Sequence, residues 1–315
     1  MTDVGVRELI PSAYEFDNHS QKRLGSLNVT FSSAAVFEPF VLEFMQRALL
    51  GGVLVAILCG VVGTWVVIRG MAFLGEALAH GMLPGVALAT VLSLPALAGG
   101  ALSAVAMSLG IGALQRRARL SYDTSIGLLF VSMLALGVII ISHSGSFATD
   151  ATAILFGDIL AIDQRDIVLL AFAAAVGLTV AALCHRAFVA LSLDPRIASV
   201  LGLRPRLAQA ALVGLVTLAI VASYQAVGSM LVVGLLLAPA VAAGHWTVRI
   251  PGRMVLASAF GVAAVVLGLV TSWYAGTAAG ASVAAAAIGL TCVSWTTRAA
   301  LTSLRDRATA PAPAI

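Results

Sequence analysis

Charge is the scarcest thing in this sequence. Only 10% of its 315 residues are Asp, Glu, Lys or Arg, against about a quarter in a soluble domain. Water is therefore not the main solvent of the folded chain. Cysteines number three, Cys59, Cys184 and Cys292. They form no CxxC pair and lie in or beside apolar runs, so they read as small core hydrophobes and promise neither disulfides nor a thiolate site. No GxxxxGK[ST] cradle occurs, so the chain is not expected to hydrolyse ATP by itself. The start lacks the basic and apolar regions of a cleavable signal peptide. No apolar run alternates with period two, which excludes a transmembrane barrel. No internal repeat of 20–50 residues is evident.

What is abundant is apolar surface: 60% of the residues are hydrophobic and the mean hydropathy is +1.04. The few charges cluster between long apolar runs, the pattern of helices crossing a hydrocarbon core about 30 Å thick. The chain reads as all-α, a polytopic membrane bundle of about nine spans near 47–68, 72–93, 96–115, 124–142, 166–185, 206–223, 226–246, 254–273 and 280–297. A stretch at 150–163 is too short and interrupted for a full crossing and reads as a half-helix or re-entrant piece. Residues 1–45 form a polar extension, loosely ordered or amphipathic, 46–298 the transmembrane domain, and 299–315 a polar, proline-containing tail. Alanine and glycine are frequent in the spans, where small residues let membrane helices approach closely.

The net charge of +4 and pI near 9.3 do not point to nucleic acid, because the basic residues sit at the ends of apolar runs, where topology needs them. Arg69, Arg116, Arg117, Arg119, Arg186, Arg196, Arg204, Arg206, Arg249, Arg253, Arg298, Arg305 and Arg307 share one side. Arg7, Lys22, Arg23, Arg47 and Arg165 fall on the other. The positive-inside rule puts the larger set in the cytoplasm, with the amino terminus outside and the carboxyl terminus inside, a parity that nine spans satisfy.

Against this background Glu76 and His80 stand out. Four positions apart on a helix, they share one face. A carboxylate at mid-span costs about 3 kcal/mol on insertion scales, so it is expected to face protein or a wet cavity. Two readings follow. One is a polar clamp, in which Glu76 accepts from a hydroxyl or amide of a neighbouring helix. The other is a way-station for a divalent ion, since a carboxylate oxygen with an imidazole nitrogen suits zinc, manganese or iron(II). Pro84 and Gly85 follow on the same run, where proline frees a backbone carbonyl and lets the helix bend, and Pro239 is expected to interrupt a later span. Such breaks suit a transport pathway. Asp150, Asp158, Asp163 and Asp166 gather on the outer side with His143, either as an entry for cations or as solvated loop carboxylates. On the cytoplasmic side, Asp194 caps and Pro195 opens a short helix through Arg196 and Ala198 that Gly202 ends. It reads as a linker lying on the surface or as a knob for a groove on a partner.

The stretches RGMAFLGEALAHGMLPGVA (69–87), LFGDIL with Asp166 downstream, DPRIASVLGLRP (194–205) and AVGSMLVVGLLLAPA (226–240) together resemble the permease subunits of bacterial ATP-binding-cassette importers for zinc, manganese and iron. The resemblance covers about residues 47–297. It implies a permease that pairs as a homodimer in the cell membrane, binds two cytoplasmic ATPase subunits and receives its ion from an extracytoplasmic metal-binding protein. It also implies that Glu76 and His80 stand where such permeases carry Asp and His, as transient ligands of the transported manganese or zinc. No cofactor is held permanently. Residues 194–205 resemble the coupling helix of that family. The chain departs from the pattern in having glutamate at 76, in Gly276 and Ala278 of the turn 274–280, and in its long amino-terminal extension. Two rivals are a permease for a metal chelate such as a siderophore or cobalamin, in which the Glu76–His80 pair would be structural, and an ion-coupled secondary transporter with Glu76 as a proton carrier. An intramembrane metalloenzyme would want an HExxH-like pair or three ligands, and the sequence offers neither.

Overall fold

A computed structural model describes residues 38–118, 120–144, 159–200 and 202–309. The expectations placed on residues 1–37, on the outer stretch 145–158 with Asp150 and Asp158, and on the last six residues lie outside them. Among the described residues there is no strand. Eleven α-helices follow one another: α1 (Glu43–Ile68), α2 (Ala72–Gly81), α3 (Leu83–Val91), α4 (Ala96–Arg117), α5 (Tyr122–Ser144), α6 (Gln164–Leu183), α7 (His185–Leu193), α8 (Pro195–Val200), α9 (Pro205–Gly244), α10 (Ile250–Ala275) and α11 (Ala279–Thr309).

Helix α1 is the axis of the bundle. It packs against α6, α9 and α10, and it buries Val55, Leu58, Cys59, Val62, Trp65 and Val66 almost completely. Its glycines explain how so many neighbours reach it. A Cβ at Gly63 would overlap the carbonyl of Leu236 on α9, so the two backbones touch with no side chain between them. Helices α2 and α3 form one span, Ala72–Val91, leaning on α4 and α5. Here the closest approach is mutual: a Cβ on Gly85 would meet the Gly99 carbonyl, and one on Gly99 the Gly85 carbonyl.

Among the described residues eight helices are long and apolar enough to cross a membrane, and Met230–Gly244 is a shorter apolar helix. Eight of the nine expected spans have helices long enough to cross; the seventh, expected at 226–246, appears only as the shorter Met230–Gly244, joined to the sixth across a kink within α9. That helix cannot be straight. Gln209 bonds Arg69 and Leu236 packs against Gly63. A straight helix would hold Gln209 and Leu236 about 40 Å apart, whereas Arg69 and Gly63 lie only about 9 Å apart along α1. The chain therefore folds back on itself inside α9. The reversal falls at Gly228, whose φ of 75° and ψ of 164° are non-helical and favour a residue without Cβ.

This corrects the expectation at Pro239. Gly228 is the only non-helical residue within α9, so the helix runs through Pro239 and the break lies eleven residues upstream. Pro239 forgoes only the one bond to the Leu235 carbonyl, and α11 packs along this stretch, with Thr291 Oγ1 donating to the Ala238 carbonyl at 2.8 Å and Ser294 Oγ to the Ala242 carbonyl at 3.1 Å.

The two ends of the bundle differ in chemistry. Arg69, Arg116 and Arg206 converge at one end, around Tyr122 and Leu191. At the other, Arg47 on α1 pairs with Glu43 and lies 3.6 Å from Asp163. The Asp163 amide donates to Asp166 Oδ2 at 3.1 Å, within a capping box that starts α6. Two of the four outer carboxylates are thus engaged in starting a helix.

Candidate functional site

Helix α2 places Glu76 and His80 on its least buried face. His80 Nε2 donates to Glu76 Oε1 at 2.8 Å, and the side chains keep 42% of their surface for Glu76 and 22% for His80. The opposite face of α2 is sealed, with Leu74, Ala77, Leu78 and Ala79 buried against the bundle. The sequence folds this way because apolar residues occupy the inward positions at helical spacing and leave one polar stripe. By the rise of an α-helix the pair stands about 6 and 12 Å above Ala72, nearer the arginine-rich end than the opposite one.

The polar-clamp reading required a hydroxyl or amide from a neighbouring helix. Glu76 instead finds its partner on its own helix. What the neighbouring helix supplies is aromatic. Phe130 of α5 meets the His80 ring edge-on, with centroids 5.8 Å apart, and Phe73 meets Phe130 at 5.5 Å. This wall fixes the ring's orientation without consuming hydrogen-bonding capacity. Among the described residues no third His, Cys, Asp or Glu joins the pair. At this site the described residues of one chain therefore offer one carboxylate and one imidazole to an ion.

Between Gly81 and Leu83 the backbone keeps helical dihedrals at Met82, φ −76° and ψ −23°, but one turn of the hydrogen-bond ladder is interrupted just after His80. Pro84 lies at the start of α3. Having no N–H, it cannot close an i→i−4 bond onto the carbonyl of His80. One residue further, Ser103 of α4 donates to the Gly81 carbonyl at 2.7 Å. At Pro84 and Gly85, where a break is expected, the structure has one missing ladder bond inside a continuing helical run, next to the candidate ligands, with a hydroxyl from another helix beside it. Pro239, by contrast, is buried against α11 and takes no part in this arrangement.

The short helix expected at 194–202 is present as α8 (Pro195–Val200). Asp194 is extended and separates it from α7. The Ala198 carbonyl accepts from Leu203 N at 3.0 Å, and Gly202 takes the left-handed conformation, φ 71°, as a glycine beyond a helix end does. Ala198 is buried whereas Val200 is 86% exposed. The helix therefore rests on the bundle by one side and projects the other.

Sequence reasoning missed two things. Arg69, treated only as a topology marker, clips three elements together. Its guanidinium donates to the Leu191 carbonyl at 2.5 Å and to Gln209 Oε1 at 3.1 Å. The second is a cleft of about 870 Å³ between α4 and the first arm of α9, which contains neither Glu76 nor His80.

Residues 41–298 match the ABC 3 transport family. The chain is 37% identical over 240 residues to the manganese transport system membrane protein MntC of Listeria monocytogenes, covering 76% of this chain and 85% of that protein. It is 32% identical over 250 residues to the chelated iron transport system membrane protein YfeD of Yersinia pestis, covering 79% and 82%. Among solved structures it resembles PsaBC from Streptococcus pneumoniae in complex with Fab, with a TM-score of 0.74 at 31% identity over 84% of this chain and 95% of that one.

Proposed function

Because this chain belongs to the ABC 3 transport family, we propose that it carries manganese ions along a path between two copies of itself, with Glu76 and His80 as their transient ligands. The chain is a multi-pass membrane protein and the permease subunit of a metal importer. The metal, the ligands and the partners are our reading. It rests on one observation: an acid and an imidazole 2.8 Å apart on the least buried face of α2, beside the ladder bond that Pro84 leaves open.

Two copies would bring two carboxylates and two imidazoles together. Carboxylate oxygen suits manganese, imidazole suits several first-row ions, and water can complete the shell. Such a site binds firmly enough to admit an ion and weakly enough to release it. The bond from His80 to Glu76 holds both groups in place while the path is empty. On arrival of a cation the carboxylate turns to the metal, and the imidazole, deprotonated, offers a nitrogen lone pair. The energy comes from cytoplasmic ATPase subunits that dock on α8, and the ion from an extracytoplasmic binding protein. Docking of the ATPases on the exposed side of α8 moves it through Ala198 against the bundle.

The test is reconstitution of the permease with its ATPase and binding protein in proteoliposomes. ATP-dependent uptake of free ⁵⁴Mn, saturable and competed by excess manganese, is expected. Uptake of an iron chelate with none of the free ion would sink the proposal and favour the siderophore-type reading.

A further inference from the structure

The cleft between α4 and the first arm of α9 has a chemistry unlike the ion site. Its walls are apolar along its length, from Ala101 to Gly112 on one side and from Ala210 to Val221 on the other. Val105 and Leu109 leave 47% and 66% of their surfaces uncovered. At one end stand Arg69, Arg116 and Arg206, and among the described residues no Asp or Glu lines the cleft. Ser108 and Thr217 bridge its walls by a 2.8 Å hydroxyl contact.

The three guanidinium groups are not equivalent. Arg69 is committed to Leu191 and Gln209, yet its Nε is buried with no hydrogen-bond partner. Arg116 bonds only a carbonyl of its own helix, that of Gly112. Arg206 is exposed on the first turn of α9. A cluster of three arginines at one end of an apolar slot fits a ligand that is anionic at its head and apolar behind it. The distance from Arg206 to Val221 along the helix is about 22 Å, longer than the hydrocarbon half of one leaflet, about 15 Å. A free inorganic anion would leave the slot unfilled, and an acidic peptide would bury its backbone against hydrocarbon.

We propose that this cleft binds an anionic phospholipid, its acyl chain between α4 and α9 and its phosphate among Arg69, Arg116 and Arg206. Arginine matches phosphate in a planar, two-pronged geometry, and basic pockets between membrane helices bind anionic head groups in this manner. Arg69 gives the ligand a consequence. It holds the ends of α1, α7 and α9 together, and α7 leads directly into α8. Lipid in the cleft therefore presses on the element that carries the short projecting helix.

The full-length permease, purified in mild detergent, is offered equal amounts of phosphatidylglycerol and phosphatidylcholine, and retained lipid is counted by native mass spectrometry. Preferential retention of phosphatidylglycerol is expected. Arg116→Gln with Arg206→Gln should reduce that preference by about tenfold or more, the scale of two arginines at an anionic surface. Gly214→Leu provides an independent arm. A Cβ there meets nothing within 4 Å, so the side chain fills the slot without disturbing the fold and should lower retention of phosphatidylglycerol with the melting temperature unchanged. Equal retention of both lipids by the wild type, or unchanged preference in both variants, overturns the proposal. So does efficient Leu109→Cys cross-linking between two copies in native membranes, because the cleft would then be a subunit interface.

Discussion

Glu76 and His80 meet four residues apart on one helix, whereas Arg69 reaches partners 122 and 140 positions away along the chain. Both are ionisable groups at the edge of an apolar bundle, and both are hydrogen-bonded. The first pair satisfies itself within α2 and ties nothing else together. The second group spends its donors on α7 and α9 and holds three elements in register. A pair that is locally satisfied can exchange its partner for a passing ion without moving the bundle. A group that bridges distant elements cannot let go without loosening them. Local closure thus marks the site able to work, and long-range closure marks the frame.

The comparison breaks first, and most visibly, at the ion site. Glu76→Ala and His80→Ala should each lower ⁵⁴Mn uptake by about a hundredfold, the upper range for losing even an outer partner of a metal site. The amount of folded, assembled complex should stay at the wild-type level, measured by size-exclusion chromatography and quantitative blotting. Uptake lost only in proportion to protein would return the pair to a structural role.

The converse is expected at Arg69. Arg69→Ala removes two charged donor bonds, one to a carbonyl and one to an amide oxygen, and should cost about 2 kcal/mol of stability. A thermal shift assay in detergent should show an earlier transition. The apparent KM for manganese per assembled complex should stay within about twofold of wild type, since no ion ligand is touched, whatever the change in turnover through α7. Full stability with lost transport would reverse the assignment of frame and site.

The same contrast explains what the sequence reveals. Spans, the Glu76–His80 face and the short helix 195–200 are legible because each depends on neighbours in sequence: hydropathy over twenty residues, an i,i+4 spacing, a proline at a helix start and a glycine past its end. The Arg69 clip is not legible, because Leu191 and Gln209 become its neighbours only after the bundle has formed. The break in α9 is a sharper case. Proline is the louder local signal, yet the helix runs through Pro239, packed on α11 in a contact that no local pattern announces. Gly228 is quiet in sequence and takes the positive φ by which the chain reverses. The aromatic wall of Phe130 belongs to the same class, since one phenylalanine in an apolar helix resembles every other.

A smaller effect is expected where a frame contact touches the site. Ser103→Ala removes the hydroxyl that donates to the Gly81 carbonyl at 2.7 Å. The loss should be about 1 kcal/mol, seen as a modest drop in melting temperature. Because Gly81 adjoins His80, uptake should fall by a few-fold while Ser108→Ala, on the same helix but against Thr217, leaves it unchanged. Equal effects of the two would show that the interrupted ladder after His80 does not tune the pair.

The smallest change is also the most discriminating. Glu76→Asp keeps the charge and withdraws the carboxylate by one carbon–carbon bond, about 1.5 Å. The 2.8 Å contact with His80 then lengthens beyond a hydrogen bond, while the number of ligands an ion can find is unchanged. If the contact itself were the purpose of the pair, aspartate would behave like alanine. If the pair exists for the ion, a flexible shell of water and carboxylate absorbs the displacement, and ⁵⁴Mn uptake should stay within about threefold of wild type. Competition by zinc should shift more than the uptake of manganese, because zinc tolerates fewer ligands and a narrower geometry. An Asp variant as inactive as Glu76→Ala, with the fold intact, would make the local bond the functional element and place Glu76 with Arg69, in the frame.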